Sequence, residues 1–290
     1  MKKFNLFDAF IYLTVLLFSI FCTLPMILVL MVSFTNETSI MKNGYRLIPK
    51  VLSLEAYHLV FKQGTILTNS YMISVTITIV GTIFAVMITA MAAYALSNKN
   101  VRYRNTLALY FFFTMVFNGG IVPWYIMCSK IGLTNNILAL IIPGLLFSPF
   151  NLFLVRNFMN GIPDSLKEAA KIDGAGDMTI AFRIYFPLCI PVLAAVALFY
   201  GLAYWNDWWN SIMLVENKML YPLQYLLFKM QSELRMLADL QIYSGSASVK
   251  PPTESLKMAT VIITIGPIIF LYPFLQKYFI KGLIIGSVKG

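Results

Sequence analysis

The sequence predicts an all-α integral membrane protein with six transmembrane helices, formed by a single membrane domain over residues 1–290. Its residues are 59% hydrophobic and only 12% charged, whereas soluble domains are about 45–50% apolar and about 25% charged. A soluble protein of this composition would lack the polar side chains that cover a surface in water. The hydrophobic residues also form runs of about 20, the length that a helix needs to cross a bilayer. Composition and run length therefore predict a polytopic membrane protein.

The first predicted span, residues 9–34, contains no charged side chain and follows Lys2 and Lys3. A cationic start before an apolar run resembles a secretion signal, but this run is too long and lacks a small-residue cleavage site. We therefore expect it to remain as a membrane span. The second predicted span, residues 71–96, is rich in Thr, Gly and Ala, which allow close helix contact and predict a place inside the helix bundle.

Four further apolar runs complete the predicted set of spans, and the third, fourth and sixth are marked by particular helix-breaking residues. The third run includes Asn118-Gly119-Gly120, the fourth includes Pro143-Gly144, and the sixth is broken by Gly266-Pro267. These four predicted spans cover residues 107–127, 137–155, 186–204 and 259–275.

Basic residues set the predicted orientation, because cytoplasmic loops of membrane proteins are enriched in Lys and Arg. Six spans place both termini on one side, together with residues 98–105 and 156–185. These segments hold twelve of the 22 Lys and Arg residues, which predicts a multi-pass plasma-membrane protein with both termini in the cytoplasm. Because the cations flank spans and do not form one patch, they indicate contact with membrane lipid and no nucleic-acid binding.

A long insert, residues 161–185, separates the fourth and fifth predicted spans on the cytoplasmic side. A passive connection between helices needs only a few residues, whereas this segment carries signals for two short helices. Pro163 favours a first turn, Asp164 suits the positive end of a helix, and Gly174 suits a C-terminal cap. The pattern predicts a helix, a glycine turn and a second helix over 177–185, which together form a docking element. An amphipathic helix lying on the bilayer is disfavoured by the acidic residues of the segment.

The segment Glu168-Ala169-Ala170-Lys171-Ile172-Asp173-Gly174-Ala175, followed by Ile184 and Pro187, resembles the EAA loop of permease subunits of ATP-binding-cassette (ABC) importers. It is most similar to the carbohydrate-uptake branch, the relatives of the maltose permease MalG. The stretch Phe117 to Pro123 resembles a segment of the LplC-like subgroup, which is associated with complex saccharides. The resemblance covers essentially the whole chain.

The resemblance implies that the chain forms half of a transport pore and works with separate subunits. The implied partners are a second homologous permease, two ATP-binding subunits and an extracellular solute-binding protein that delivers an oligosaccharide or other complex saccharide. ATP and Mg²⁺ would bind to the ATPase subunits, because this chain has no G-x-x-x-x-G-K-[ST] phosphate-binding motif. We therefore expect no cofactor and no catalytic residue in this chain. The implied ATPase-coupling residues are Glu168, Ala169, Ala170, Asp173 and Gly174.

Two other segments are assigned to partner contacts by the same resemblance. The tail, which ends in Lys289 and Gly290, is expected to reach the ATPase subunits, with an ordinary surface tail as the alternative. The external loop, residues 206–257, has a helical pattern over 223–240 and is expected to contact the binding protein. The polar residues expected at this contact are Gln224, Gln231 and Gln241.

Aromatic and amide side chains are concentrated just after the fifth predicted span, where three of the four tryptophans lie within residues 205–210. Aromatic faces stack on sugar rings and amides bond to hydroxyl groups, which is typical of a saccharide path. An interfacial aromatic belt explains the same tryptophans, so both interpretations stay open. A polar residue within the apolar third run also indicates a helix face towards a cavity. The candidate path residues are Asn118, Trp205, Asn206, Trp208 and Trp209.

Other function classes are less consistent with the sequence. An importer for peptides or amino acids shares the loop motif, and only the branch signatures favour a saccharide. A secondary transporter normally places ionisable side chains inside its spans, and the predicted spans contain none at mid-depth. A membrane enzyme needs a cluster of carboxylates, His or Cys, and the three cysteines and one histidine are too dispersed for catalysis or for a metal site.

Overall fold

The computed structural model describes residues 6–62, 64–243, 254–265 and 269, and these residues are mostly helical. Within these ranges no β-strand is present, although a single antiparallel bridge pairs Thr35 with Leu52. The chain divides into two compact units, one up to residue 67 and over residues 227–268, and the other over residues 68–226 and from residue 269. The all-α class predicted from composition is confirmed.

Fifteen helices follow one another in the described part of the chain. In chain order they are α1 (Leu6–Ser33), α2 (Glu37–Asn43), α3 (Glu55–Phe61), α4 (Gly64–Ser97), α5 (Arg104–Val116), α6 (Ile121–Lys130), α7 (Leu138–Ile141), α8 (Pro149–Met159), α9 (Asp164–Ile172), α10 (Asp177–Ile180), α11 (Phe186–Leu188), α12 (Ile190–Trp205), α13 (Trp209–Leu214), α14 (Leu223–Tyr243) and α15 (254–265). A π-turn over Ala181–Tyr185 joins α10 to α11, and a short 3₁₀ turn over Lys218–Leu220 precedes α14.

The first unit is held together by a carboxylate that caps its last described helix. Glu37 is buried, with 5% of its surface exposed. Its Oε1 accepts the Glu254 N–H at 3.0 Å, and its Oε2 accepts the Ser255 N–H at 3.0 Å and the Ser255 hydroxyl at 2.8 Å. The first N–H groups of a helix have no partner within the helix and carry partial positive charge. The Glu37 carboxylate therefore ties the start of α2 to the start of α15.

Tyr45 adds a second contact at the same place. Its hydroxyl donates a hydrogen bond of 2.5 Å to Oε2 of Glu254. This bond, together with burial, raises the pKa of Tyr45 to about 12, because ionisation would place a phenolate beside a carboxylate.

Two tyrosines of α12 organise the core of the second unit. The Tyr204 hydroxyl donates to the Ile141 carbonyl at 2.8 Å, and a Cβ at Gly81 would lie only 2.4 Å from the Tyr204 Cζ. The Tyr200 hydroxyl shares a 2.7 Å hydrogen bond with Thr89 and accepts the Ser148 N–H at 2.9 Å. Both hydroxyl groups thus satisfy polar groups inside an apolar bundle, as buried tyrosines require. Gly81 and Thr89, which lie in the second predicted span, take part in this packing.

The third predicted span is not one continuous helix. Residues 107–127 contain the end of α5, a break at 117–120 and most of α6, and the two helices are bent by 116°. Gly120 has a φ of +86°, a left-handed conformation that favours glycine. The Asn118-Gly119-Gly120 triplet therefore redirects the backbone within an apolar run.

The fourth predicted span is also not one helix. Residues 137–155 contain α7, a non-helical stretch over 142–148 and the first part of α8. Pro143 is followed by Gly144 at a φ of +74°. A proline removes a backbone donor and a left-handed glycine turns the chain, so the helix stops at this pair.

The fifth predicted span is bent near its start. Its straight part is α12, whose first turn contains Pro191, and the helix pair Asp177–Leu188 and Ile190–Trp205 is bent by 82° at Cys189. Pro191 has no N–H to donate to the carbonyl four residues earlier, so a helix cannot run unbroken through this point.

Two described helices are long and apolar enough to cross a membrane, namely Ala9–Ser33 within α1 and the whole of α4. If each of the two bent pairs is a single crossing, the described residues account for up to four. The side chains of α1 from residue 11 to residue 27 are exposed, which suits contact with lipid and not with water. The sixth predicted span, residues 259–275, lies partly outside the described residues.

Candidate functional site

The insert between α8 and α12 forms the helix, glycine turn and second helix that its sequence predicts. The first helix, α9, follows Pro163 and ends in a hydrogen-bonded glycine cap. Gly174 has a φ of +81°, its N–H donates to the Lys171 carbonyl at 3.1 Å, and the Ala175 N–H donates to the Ala170 carbonyl at 2.9 Å. These two bonds define a Schellman motif, in which a left-handed glycine satisfies the last carbonyls of a helix.

One predicted coupling residue points into the protein. Ala170 is 9% exposed and belongs to the buried core cluster that also contains Ile180 and Tyr185. The docking surface was expected to include it, and the structure instead gives it a packing role. Its small side chain allows α9 to lie close against the body of the unit.

Other positions of the insert expose apolar and acidic side chains. Ile172 is 87% exposed, and Met178 and Leu166 are also exposed. Exposed large apolar groups on a polar segment suit a surface that another protein covers. We use the name coupling surface for this set: Leu166, Glu168, Ala169, Ile172, Asp173, Gly174 and Met178.

Two lysines, Lys99 before the insert and Lys167 within it, make contacts that hold the insert against the chain. Lys99 forms an ion pair of 2.5 Å with Asp164, which lowers the pKa of that carboxyl. Lys167 donates to Asn98 Oδ1, and burial, with the nearby charge of Lys171, lowers the pKa of Lys167. These contacts fasten α9 to the end of α4, although an exposed ion pair contributes little stability.

The acidic side chains of the coupling surface lack such partners. Lys171 reaches Asp177 at 3.7 Å, but neither Glu168 nor Asp173 forms an ion pair with any described residue. Both carboxylates are exposed. The surface therefore offers negative charge around an apolar centre, which suits a partner groove with cations at its rim.

A cleft of about 550 Å³ lies elsewhere in the second unit, where three breaks in the helices come together. The break between α5 and α6, the turn after α7 and the turn before α13 each contribute to its wall. Its lining residues are Asn118, Gly120, Ile121, Trp124, Pro143, Gly144, Leu145, Asp207, Trp209 and Asn210.

Local hydrogen bonds hold the polar residues of this cleft. Asn118 Oδ1 accepts the Gly120 N–H at 2.9 Å and thereby stabilises the break. Asp207 Oδ1 accepts the N–H groups of Trp209 at 3.1 Å and Asn210 at 3.2 Å, which caps α13. The Asn210 side-chain amide donates to the Pro143 carbonyl at 3.0 Å and joins two walls of the cleft.

The predicted substrate-path residues divide into two groups. Asn118 and Trp209 line the cleft, whereas Trp205, Asn206 and Trp208 are not among its lining residues. Trp205 is buried in the core, and Trp208 packs edge-on against Trp209 at a centroid distance of 5.7 Å. Asn206 is occupied by hydrogen bonds to the Leu202 carbonyl and the Gln224 amide.

Three cleft residues were missed in the sequence, namely Trp124, Asp207 and Asn210. Trp124 lies four residues after a Gly-Gly pair, and the other two flank the tryptophan pair. The helix-breaking pairs Gly119-Gly120 and Pro143-Gly144 were a usable signal, because each marks a place where backbone leaves the helix, which in membranes requires protein or a cavity around it.

The residues predicted to contact a binding protein also differ in their surroundings. The predicted helix in the external loop is present as α14. Gln224 is bonded to Asn206, and the Gln231 amide donates to the Thr260 hydroxyl at 2.5 Å. The side chain of Gln241 and the tail residues Lys289 and Gly290 lie outside the described residues.

The described residues contain no group of three or more His, Cys, Asp or Glu side chains that could hold a metal ion. Cys22 is exposed, Cys128 and Cys189 are buried, and all three are free thiols.

Comparison with known families gives one match, over residues 91–285, to the family described as binding-protein-dependent transport system inner membrane component. Among curated proteins, the chain is 36% identical to the polygalacturonan/rhamnogalacturonan transport system permease protein YtcP of Bacillus subtilis, over 99% of this chain and 100% of that protein. It is 37% identical to the protein LplC of Bacillus subtilis, over 92% of this chain and 89% of that protein.

Among solved structures, the chain resembles a subunit of a bacterial ABC transporter involved in the import of the acidic polysaccharide alginate. The TM-score is 0.79 at 28% identity, and the match covers 96% of this chain and 100% of that chain. The likeness extends over nearly the whole length of both proteins.

Proposed function

The chain belongs to the family of binding-protein-dependent transport system inner membrane components, and from that premise we propose that it carries a saccharide into the cell as the permease subunit of an ATP-driven importer. The substrate is an oligosaccharide or other complex saccharide that an extracellular binding protein delivers. The names of its relatives support this proposal, since YtcP is a polysaccharide transport permease and the structural neighbour belongs to an alginate importer.

The observation that carries the proposal is the coupling surface. This surface is a short helix that ends in a glycine cap and carries an exposed Ile172 and carboxylates without an ion pair. No contact of these side chains within the described residues explains their exposure. Such a surface can bind a separate ATPase subunit. ATP and Mg²⁺ bind to two such subunits, so that this chain needs no cofactor and performs no catalysis itself.

We further propose that the chain crosses the plasma membrane six times and that both termini lie in the cytoplasm. In this arrangement α1 and α4 each supply one crossing. Each bent helix pair supplies one more, the second of them through residues 186–204, and residues 137–155 and 259–275 supply the remaining two. The insert over 161–185 then lies in the cytoplasm and residues 206–257 lie outside. A second, homologous permease completes the pore.

The cleft is the proposed saccharide path. Trp124 and Trp209 provide aromatic faces for sugar rings, and the amides of Asn118 and Asn210 provide hydrogen-bonding groups for hydroxyls. Few polar groups on a mainly apolar wall are typical of small-molecule sites.

The proposal is tested by purifying the tagged chain from its native membrane in mild detergent and identifying its companions. We expect a second permease and an ATPase in stoichiometric amounts, and the reconstituted complex should take up saccharide only with ATP and binding protein. Uptake that proceeds without ATP, or that follows an ion gradient, would contradict the proposal and favour a secondary transporter.

A more local prediction concerns the outer end of α14. Its inner residues, Leu227 and Met230, are buried, whereas Met236 and Leu237 are 66% and 53% exposed. If the binding protein docks here, the double substitution Met236→Lys with Leu237→Lys should raise the concentration of liganded binding protein needed to stimulate ATP hydrolysis by about tenfold or more.

The matched control exchanges the two side chains conservatively, as Met236→Leu with Leu237→Met, and should leave that concentration unchanged. Basal ATP hydrolysis should be the same in both variants, because neither residue belongs to the coupling surface. If the lysine variant responds to the binding protein like the wild type, α14 is not part of the docking site.

A further inference from the structure

Asp207 is the single ionisable side chain among the residues that line the cleft. The other lining residues are glycines, apolar side chains, two tryptophans and two amides, all of them neutral. The charge that a substrate meets in this cleft is therefore set by one carboxylate.

The two oxygens of Asp207 have different surroundings. Oδ1 accepts the backbone N–H groups of Trp209 and Asn210. Oδ2 is buried and has no hydrogen-bond partner among the described residues. Neither ion pair in the described part of the chain involves Asp207. The structure thus places a carboxylate beneath the cleft wall without a cation to neutralise it.

Two opposing effects act on the pKa of Asp207. Burial raises this pKa and is the larger effect, while the hydrogen bonds from Asn210 and Trp209 lower it. The backbone donors favour the ionised form and oppose the effect of burial. A charge in such surroundings acts over a longer range than one on an open surface.

We propose that Asp207 is a charge-selecting residue, and that the substrate of this cleft is a neutral oligosaccharide and not one that carries uronate groups. The inference rests on the proposed saccharide path and narrows its substrate class. A uronate carboxylate in the cleft would face a like charge with no compensating Lys or Arg in the lining. A neutral sugar offers hydroxyl dipoles that turn towards the carboxylate, and its rings meet Trp124 and Trp209. The acidic polysaccharide named for the structural neighbour would be disfavoured here.

The test compares two probes of equal length, β-1,4-galactotetraose and tetragalacturonate, on the full chain in lipid nanodiscs. Quenching of tryptophan fluorescence measures binding, because two of the four tryptophans line the cleft. We expect the neutral probe to bind at least tenfold more tightly than the acidic probe. The Asp207→Asn variant should reduce that ratio towards one, since asparagine keeps the cap of α13 and removes the charge.

The control variant is Glu216→Gln, which removes an exposed carboxylate outside the cleft and should leave the ratio unchanged. A residue that only caps α13 would change the two affinities equally or not at all in Asp207→Asn. Tighter binding of the acidic probe to the wild type, or an unchanged ratio in Asp207→Asn, would overturn the proposal. Absence of binding for both probes would overturn it as well, while ATP-dependent uptake by the assembled importer would still decide the proposed function separately.

Discussion

Replacing Ile172 by lysine should abolish ATP-driven uptake and release the ATPase subunits while leaving the chain folded in the membrane. Ile172 is 87% exposed at the end of α9, so that the folded chain loses no packing when it is replaced. If Ile172 is buried in the ATPase, a lysine there leaves a desolvated charge without a partner and should cost about 2 kcal/mol or more, roughly 30-fold in affinity. Glu168→Lys should act in the same direction by reversing the charge beside it.

Co-purification of the ATPase with the tagged chain measures the effect, with uptake into proteoliposomes as the second measurement. Ile172→Leu should retain both activities because it keeps the apolar contact. Met219→Lys is the matched control, since Met219 is also an exposed apolar residue but lies in the proposed external loop. If the ATPase co-purifies with Ile172→Lys at the wild-type ratio, the coupling surface has been assigned to the wrong role.

Gly81→Ala should destabilise the second unit by about 1–3 kcal/mol, the usual cost of an added group in a packed core. A Cβ at this position would lie 2.4 Å from Cζ and 2.7 Å from both Cε atoms of Tyr204. The ring cannot easily move aside, because Tyr204 is fully buried and its hydroxyl is bonded to the Ile141 carbonyl. Thermal unfolding can be followed with a thiol-reactive dye, since Cys128 and Cys189 are buried, in a background with Cys22→Ser.

Gly201→Ala provides the matched control on the neighbouring helix. Its added Cβ would meet the Thr82 hydroxyl at 3.6 Å, an ordinary contact, so the unfolding temperature should change little. A Tyr204→Leu background should remove most of the cost of Gly81→Ala, because the two effects share one contact. Equal destabilisation by Gly81→Ala in both backgrounds would show that Tyr204 is not the cause.

The features predicted correctly from the sequence are those set by nearby residues. The insert between the fourth and fifth predicted spans is an example, since Pro163 and Gly174 start and end α9 by local backbone geometry. The large bends within the third and fourth predicted spans could not be predicted from hydropathy, for a related reason. Hydropathy counts apolar side chains, and Gly120 and Gly144 change the backbone direction without changing that count.

The cleft could not be predicted as a site because its walls come from distant segments. Trp124, Pro143 and Asp207 come together only through the packing of three helix breaks, and no spacing in the sequence predicts that they line one cleft. The burial of Ala170 has the same origin. A motif predicts which residues a docking helix contains, but the neighbouring core decides which of them face outwards.

The carboxylate of Glu37 has a consequence for biosynthesis. Its bonds to Glu254 and Ser255 link residues more than 200 positions apart, so this junction closes only after the ribosome has made nearly the whole chain. The early helices must therefore stay in the translocation machinery or the lipid without this contact until α15 has been synthesised. A truncated chain that ends before residue 254 would lack the contact of Glu37 with Glu254 and Ser255. We expect such an incompletely assembled chain to be degraded by quality-control proteases.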